Sequence, residues 1–518
     1  MLPSLRLRAG AAACLLALAG CAAVGPDFHA PAVTAPTASF VTDTPAASPA
    51  GAASTPSRAV AQDLDPAWWN LFQDATLVAL ERDALAANLD LQSAAARVRA
   101  GRAALEVSGA ALLPTVSANA SDLRERASPN GIMALTGTSA PPSATAANGA
   151  DPFGTATLPA SDKSPPYSLW QYGFDASWEL DLWGRARRAQ ESAAAQLDAA
   201  RFDADAVRVA LTAEVARTYL ELRGVQSDLR IALDTIEIAR KSVHVAERRR
   251  AQGVATQFDT AVSSAQLATF EAAVPALAQR RDALMNALAL LLAKPPHALD
   301  AQLADAEIPV LPAQVPVGLP SQLAHRRPDI LRAEAQLHAA TASIGVAKAE
   351  FYPSISLTGS FGFQALKFSE AGDWGARQFA AGPVLHLPIF EGGRLRGNLA
   401  LTEARQQEAA IAYQGTVLKA WHEVDDALSS YRSVQQRAER LDAAVADNRR
   451  ALASAERRYT QGAGDYLGVL VTQQRLLDSE NAASRSRTDM AVAMVSLYKA
   501  LGGGWEPATA AAHAVAVK

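Results

Sequence analysis

Cysteine is almost missing from this chain. Of 518 residues only Cys14 and Cys21 carry a thiol, and both lie in the first segment, so no disulfide framework is open to the rest. Also lacking is any further uncharged apolar run of about 20 residues, the length a membrane-spanning helix needs; if the chain crosses a bilayer, it does so with strands. Charge of one sign is scarce too. Lysine and arginine number 48 against 52 acids, a formal charge of -4, which gives no electrostatic reason to expect a nucleic-acid partner. Catalytic signatures are absent: there is no GxxxxGKS/T loop, no GxSxG elbow and no HExxH helix. Gly462-Ala463-Gly464 resembles half of a dinucleotide fingerprint, but it follows a long helical segment instead of a strand. The 8 histidines are scattered, and His422-Glu423 has no partner four residues on. These absences argue against an enzyme, a metal centre and a cofactor.

What is present starts at the N-terminus. Arg6 and Arg8 precede an apolar run, Ala11 to Ala19, that ends Leu18-Ala19-Gly20-Cys21. A positive start, a short apolar run and small residues before a cleavage point describe a secretory signal peptide over 1–20. The Leu-Ala-Gly-Cys ending resembles the lipobox of bacterial lipoproteins. That resemblance implies cleavage before Cys21, a diacylglycerol thioether on its sulfur and acylation of the new amine. At about 0.8 kcal/mol per buried CH2, three acyl chains would anchor the protein stably to outer-membrane lipid. Ala22, where inner-membrane lipoproteins carry aspartate, favours the outer membrane. Residues 21–64 then read as a lipidated extended tether, since Ala30 to Ala61 are mainly Ala, Pro, Ser and Thr. Order is expected from Asp65-Pro66-Ala67-Trp68-Trp69 onward.

The rest of the chain is written twice. From Val215 a 3-4 spacing runs through Thr218, Leu222, Val225, Leu229, Ala232 and Ile236 to Ala246, a coiled-coil seam with small residues at alternate positions. Adding 209 to each number gives a second seam, from Val424 through Ala427, Tyr431, Val434 and Ala438 to Ala455. Both close alike, Glu247-Arg248-Arg249 before Gly253 and Glu456-Arg457-Arg458 before Gly462. Upstream the offset is 239, linking Asn88-Leu89-Asp90-Leu91 to Arg327-Pro328-Asp329-Ile330 and Pro114 to Pro353. The difference is an insertion in the first copy at Ser128 to Pro166, rich in Pro, Ser, Thr and Gly, which reads as a long exposed loop.

The fold class is therefore an α+β membrane protein made of a duplicated unit of helix, two strands, long helix and shorter helix. The first repeat occupies 65–308, with strands at about 113–123 and 169–182 and helices at about 184–250 and 256–293. A linker covers 309–325. The second repeat occupies 326–505, with strands at about 353–364 and 379–390 and helices at about 393–460 and 465–501; 506–518 are a tail. One helix over Gly184 to Arg250 would reach roughly 100 Å at 1.5 Å per residue, the span of a compartment.

The strands alternate. From Trp170 to Leu182, Trp170, Tyr172, Phe174, Ala176, Trp178, Leu180 and Leu182 share one face; Gln171, Gly173, Asp175, Ser177, Glu179 and Asp181 share the other. Ser354 to Phe363 repeats the pattern, and Phe379 to Ile389 follows it with Pro383 and Pro388. Aromatics towards the ends of the apolar face and acids on the opposite face suit a membrane barrel with a wet lumen. Four strands cannot close a barrel, for which about eight is the minimum, so the chain must contribute a sector to an oligomer. Two copies would supply eight strands and three would supply twelve.

These segments together resemble the TolC-like outer-membrane efflux proteins, in the lipoprotein branch that serves tripartite RND-type pumps. The residues that carry the resemblance are Leu18 to Cys21, Asp65 to Trp69, Asn88 to Leu91, Ser177-Trp178-Glu179-Leu180-Asp181-Leu182-Trp183-Gly184-Arg185, Arg327 to Ile330, Phe351 to Leu357 and Leu387-Pro388-Ile389-Phe390-Glu391-Gly392-Gly393. The resemblance implies a homotrimer with a twelve-stranded outer-membrane β-barrel continued by a periplasmic α-helical barrel. It implies a periplasmic adaptor (membrane fusion) protein and an inner-membrane RND-type transporter as partners, and neither catalysis nor a cofactor. The chain would be a passive exit duct for drugs or other small toxic compounds. The alternatives are the exit duct of a protein-secretion system and a pore-free coiled-coil lipoprotein.

The turns between the helices of each repeat are where function should gather. Gly253-Val254-Ala255-Thr256-Gln257-Phe258-Asp259 breaks one helix and starts the next, with Thr256 and Asp259 spaced as a helix cap. The second copy reads Gly462-Ala463-Gly464-Asp465-Tyr466-Leu467-Gly468. The resemblance implies adaptor docking at these tips, through Gly253, Val254, Thr256, Gly462 and Tyr466, and a periplasmic gate. Tyr459 and Asp259 stand where the family links neighbouring coils by a Tyr-Asp contact. The sequence departs from the family nearby, with Gly464 in place of a linking arginine and Gly468 and Val471 in place of ringing aspartates. Asp465 is then the candidate for an acidic constriction.

Overall fold

The computed structural model describes residues 23–32, 58–60, 62, 64–126, 166–312, 314–318, 326–461, 463 and 466–506. In chain order these form β1 (Arg58–Val60), a 3-10 turn (Trp68–Phe72), α1 (Ala75–Ala87), α2 (Leu89–Ala110), β2 (Thr115–Glu125), β3 (Tyr167–Leu180), α3 (Arg185–Ala251), α4 (Gln257–Leu291), β4 (Gln314–Pro316), α5 (Pro328–Ala349), β5 (Ser354–Ala365), β6 (Arg377–His386), α6 (Arg394–Thr460) and α7 (Tyr466–Ala500). Both α3 and α6 are 67 residues long, and both α4 and α7 are 35. The chain forms two compact units, one of residues 1–30, 100–197 and 335–410, the other of 31–99, 198–334 and 411–518.

In the first unit, β2-β3-β5-β6 form an antiparallel sheet in that order, and the β3–β5 pairing joins the two repeats. The register settles the faces. Phe174 stands opposite Phe361, Phe361 opposite Phe379, and Tyr172 opposite Phe363 with ring centroids 5.3 Å apart. On the other face Asp175 lies between Ser117 and Ser360, Ser177 between Thr115 and Thr358, and Gln171 faces Gln364. Pro383 has no N–H to give to a ladder and sits on β6, an edge strand, where that loss is tolerated.

In the second unit the first seam is core. Val215, Thr218, Leu222, Leu229, Ile236, Ala239 and Ala246 are all buried. In α6 burial recurs every seven residues at Val424, Tyr431, Ala438 and Val445, the period of one seam position.

Two expectations need correction. The helix expected at the start of the first repeat is three elements, because Asn88 ends one helix and starts another. Its backbone N–H closes α1 on Ala84 O at 2.9 Å, while its side chain accepts from Asp90 N at 2.9 Å and Leu91 N at 3.0 Å. The 21–64 segment, read as an unstructured tether, is structured in two places. Arg58–Val60 pair in parallel with Gln314–Pro316, inside the expected linker 309–325, and Val315 and Val317 there are fully buried. Residues 23–28 lie strapped to the first unit: Val24 N donates to Trp183 O at 2.9 Å, Arg188 reaches Asp27 at 2.6 Å, and Phe28 stacks on His338 at 4.4 Å. A Cβ on Gly25, whose φ is +106°, would meet Gly345 Cα at 2.5 Å, so only glycine fits this crossing. Composition could not show either contact, since both are made with residues far away in sequence.

Candidate functional site

The tip of the first repeat is built entirely from local chemistry. Gly253 has φ +73°, its N–H bonds Arg250 O at 2.9 Å, and Val254 N bonds Arg249 O at 2.9 Å. This 5→2 and 6→1 pair is a Schellman closure with glycine in the left-handed position. Three residues later Thr256 caps α4. Asp259 N donates to Thr256 Oγ1 at 3.3 Å, and Thr256 N donates to Asp259 Oδ2 at 2.7 Å, a reciprocal capping box. The Thr256 backbone N–H and hydroxyl hold the Asp259 carboxyl below its ordinary value. Val254 and Phe258 project from this tip with about two thirds of their surface exposed, a pair of apolar side chains with no cover among the described residues.

The second tip repeats the helix closure, with Ala463 N on Arg458 O at 2.8 Å, the counterpart of Val254 on Arg249. Leu467 is exposed there. Gly462 and Asp465, like Cys21, lie outside the described residues.

Between the tips the structure places a contact that the spacing of residues did not reveal. The Arg249 guanidinium donates to the Tyr459 hydroxyl and lies over its ring, 4.3 Å from the centroid. Tyr466 packs beside Tyr459 at 5.2 Å, and burial pushes its hydroxyl pKa up. Nearby, Gln266 of α4 donates to Gln474 of α7 at 2.8 Å. Among the predicted residues, then, Thr256 is joined to Asp259, and Tyr459 to Tyr466. Within one chain the described partners of Tyr459 are Arg249 and Tyr466, and Asp259 serves the cap. The Glu-Arg-Arg ending of the helix was the one visible sign of Arg249; which arginine meets a tyrosine depends on how the two long helices face each other.

The stretch Trp178 to Arg185 is a strand-to-helix corner in which each polar group has a structural use. Asp181 accepts from the backbone N–H groups of Ala186 and Arg187, both at 2.9 Å, satisfying the open start of α3. Arg185 forks onto Glu179 at 3.1 and 2.8 Å. Trp178 donates to Leu112 O at 2.9 Å and Trp183 to Pro353 O at 2.7 Å.

The sheet has the burial of an inside-out protein. Large aromatics on its apolar face are exposed, Phe174 at 60%, Phe361 at 43% and Phe379 at 77%, while Ser360 on the polar face is 9% exposed. In water this would be costly, because each large side chain left exposed forgoes about 1.5–3 kcal/mol of burial. The arrangement is stable where the outward face meets hydrocarbon. Among the described residues no helix is long and apolar enough to cross a membrane, and no cluster of metal-ligating side chains forms.

Comparison with known proteins settles the family. The model of the outer membrane efflux protein family matches residues 80–294 and 319–503, one match per repeat. This chain belongs to the outer membrane efflux protein family. Curated relatives of this efflux protein include the outer membrane protein OprJ of Pseudomonas aeruginosa, 34% identical over 499 residues and covering 96% of both chains. Another is the pyoverdine export outer membrane protein OpmQ of Pseudomonas putida, 35% identical, covering 89% of this chain and 93% of the relative. Among solved structures, the outer-membrane channel OprN superposes with a TM-score of 0.80 at 32% identity, over 93% of this chain and all of that one. VceC of Vibrio cholerae gives 0.74 at 29% identity, over 85% of this chain and all of that one. The efflux protein thus has the TolC-like fold of outer-membrane channels, with the family unit present twice. It is an outer-membrane component of an efflux system that extends into the periplasm.

Proposed function

We propose that three copies of this efflux protein close a twelve-stranded barrel in the outer membrane and form the exit duct of a tripartite pump. The carrying observation is the sheet's two faces, large aromatics exposed at Phe174, Phe361 and Phe379 on one and Ser, Thr, Asn, Gln and acidic side chains on the other, together with edges at β2 and β6 that have no strand partner among the described residues. Open edges inside a bilayer leave backbone groups unsatisfied, and neighbouring copies remove them. Cys21 carries the acyl anchor. Val24, three residues on, is bonded to Trp183 at the strand-to-helix corner.

The helix tips dock a periplasmic adaptor through Gly253, Val254, Thr256, Gly462 and Tyr466, and the adaptor connects the duct to an inner-membrane RND-type transporter. Exposed Val254, Phe258 and Leu467 supply the apolar part of that surface. Asp465, Tyr459 and Asp259 form the gate, with Arg249 holding Tyr459 in the resting chain. The cargo is drugs or other small toxic compounds, in keeping with relatives named for toluene efflux and pyoverdine export.

The test uses the full-length lipoprotein extracted from membranes. Gel migration is expected to shift from a trimer to a monomer on boiling, and the unboiled protein to give ion conductance in planar bilayers. A monomer without conductance would sink the duct.

A further inference from the structure

The polar face of the sheet holds one carboxylate that the chain leaves uncompensated. The register places Asp175 midway along β3, between Ser117 of β2 and Ser360 of β5. The other ionisable groups on this face are at its ends. Glu125 accepts from the Tyr167 hydroxyl at 3.0 Å, Glu179 is held in the Arg185 fork, and His386 closes β6. Asp175 has a single described hydrogen bond, from Asn119 Nδ2 to its Oδ2 at 2.5 Å. Its Oδ1 is enclosed and has no hydrogen-bond partner among the described residues. The same face carries the Nε2 groups of Gln171, Gln364 and Gln378, also enclosed and without hydrogen-bond partners. Gln171 and Gln364 face each other two rungs from Asp175, and Gln378 faces Gly362 one rung away.

A carboxylate oxygen removed from bulk water and given only a neutral amide as partner is poorly compensated, and its field reaches whatever occupies the adjoining space. If the adjoining space is the bore of a closed barrel, the occupant is the permeating solute. We propose that Asp175 selects for cations at the level of the sheet: three carboxylates, one per copy, attract hydrated monovalent and organic cations and repel anions. Rings of acidic side chains act this way in cation-conducting pores. The carboxamides of Gln171, Gln364 and Gln378 offer hydrogen bonds to the polar parts of the same solutes without adding charge. This role rests on the polar face lining the duct proposed above.

Reversal potentials across a KCl gradient test it, measured on the purified full-length lipoprotein in planar bilayers. The unmodified channel is expected to favour K+ over Cl−. Asp175→Asn should reduce that permeability ratio at least about twofold, Asp175→Glu should keep it, and Asp175→Lys should invert it. Glu179→Gln, whose carboxylate Arg185 already neutralises, should change it far less. Asp175→Cys gives an independent reading, since Cys21 is the sole other cysteine beyond the signal peptide. A negatively charged thiol reagent should restore cation preference, and a positively charged one should reverse it. Conductance with the same ratio in Asp175→Asn and the unmodified protein would overturn the role of Asp175 and leave the duct standing. No conductance from the unmodified protein would overturn both.

Discussion

The two strand-to-helix corners occupy matching places in the repeats, 209 residues apart, and are finished differently. At the first, Trp183 stacks on Tyr352 at 4.6 Å, the strap bonds Trp183 O, and Asp181 caps the helix. At the second, Asp181 is matched by Phe390, and Ile389 and Phe390 are 92% and 90% exposed. One corner is closed by its own chain; the other presents apolar side chains with no cover among the described residues. A similar contrast holds where each repeat's first helix meets the end of its last. Asn88 Nδ2 donates to Leu291 O at 2.9 Å, while at the matching place Arg327 Nη1 donates to Ala500 O at 2.9 Å and also pairs with Asp329 at 2.6 Å and Glu423 at 2.7 Å. Duplication kept the backbone target and replaced a neutral amide with a buried cation. The lesson is that the repeats share architecture, while their joints differ in electrostatic cost.

That contrast can be broken by mutation. Arg327→Ala leaves two carboxylates facing a vacated site and should cost about 3–5 kcal/mol, the usual result of removing one partner of a buried pair. Asn88→Ala should cost about 1–3 kcal/mol, the loss of a buried neutral hydrogen bond and a cap. Denaturant unfolding of the two variants side by side measures the difference, and equal costs would show that the charge at Arg327 is fully screened.

The joints should also differ with pH. Burial alone would raise the Asp329 carboxyl, but Arg327 holds it below its ordinary value, so its contribution is present above the unfolded pKa and is lost as pH falls through the lower folded one. The Asn88 joint has no such dependence. Glu81, on α1 of the first repeat alone, slopes the other way. Burial pushes its carboxyl well above the ordinary value of 4.5, so its protonated form is favoured and stability is lost as pH rises from that value. Glu81→Gln should therefore match the parent at pH 4 and exceed it at pH 7; a deficit at both would identify a hidden partner for Glu81.

Next in size is the open corner. Phe390→Asp should weaken association of copies by about 1.5–3 kcal/mol, one large side chain's burial, if a neighbouring copy covers it, and should lower the temperature at which the trimer dissociates. An unchanged dissociation temperature would assign Ile389 and Phe390 to lipid alone. The smallest effect belongs to the tip: Thr256→Ala removes half of the capping box and should cost about 1 kcal/mol. Raised proteolysis of the 252–257 turn without change in the second tip would report it.

Much of this was legible because it is local. The 3-4 seam at Val215 to Ala246, the alternation at Trp170 to Leu180 and the Thr256–Asp259 cap each involve residues within one element, and the structure has all three. The β1–β4 pair was hidden because its bonds are between backbones with no side-chain signature, 256 residues apart at Arg58 and Gln314. Asn88 looked like one residue of a tetrad matched at Arg327 to Ile330, and its double cap required knowing that the chain turns there. The Arg249–Tyr459 contact required the facing of two helices, which periodicity leaves open.

By itself the sequence determined the duplicated unit, the apolar and polar faces of each strand and the helix breaks at the two tips, because hydrophobic period and capping chemistry act over a few residues. Only the tertiary structure decided which face is enclosed, which joint carries a buried ion pair and which carboxylate is left uncompensated. Those depend on what neighbouring strands and helices bring to within hydrogen-bond distance. Asp175 and Glu179 are alike in sequence, two acids on one face of one strand, and Arg185 at 2.8 Å makes them different.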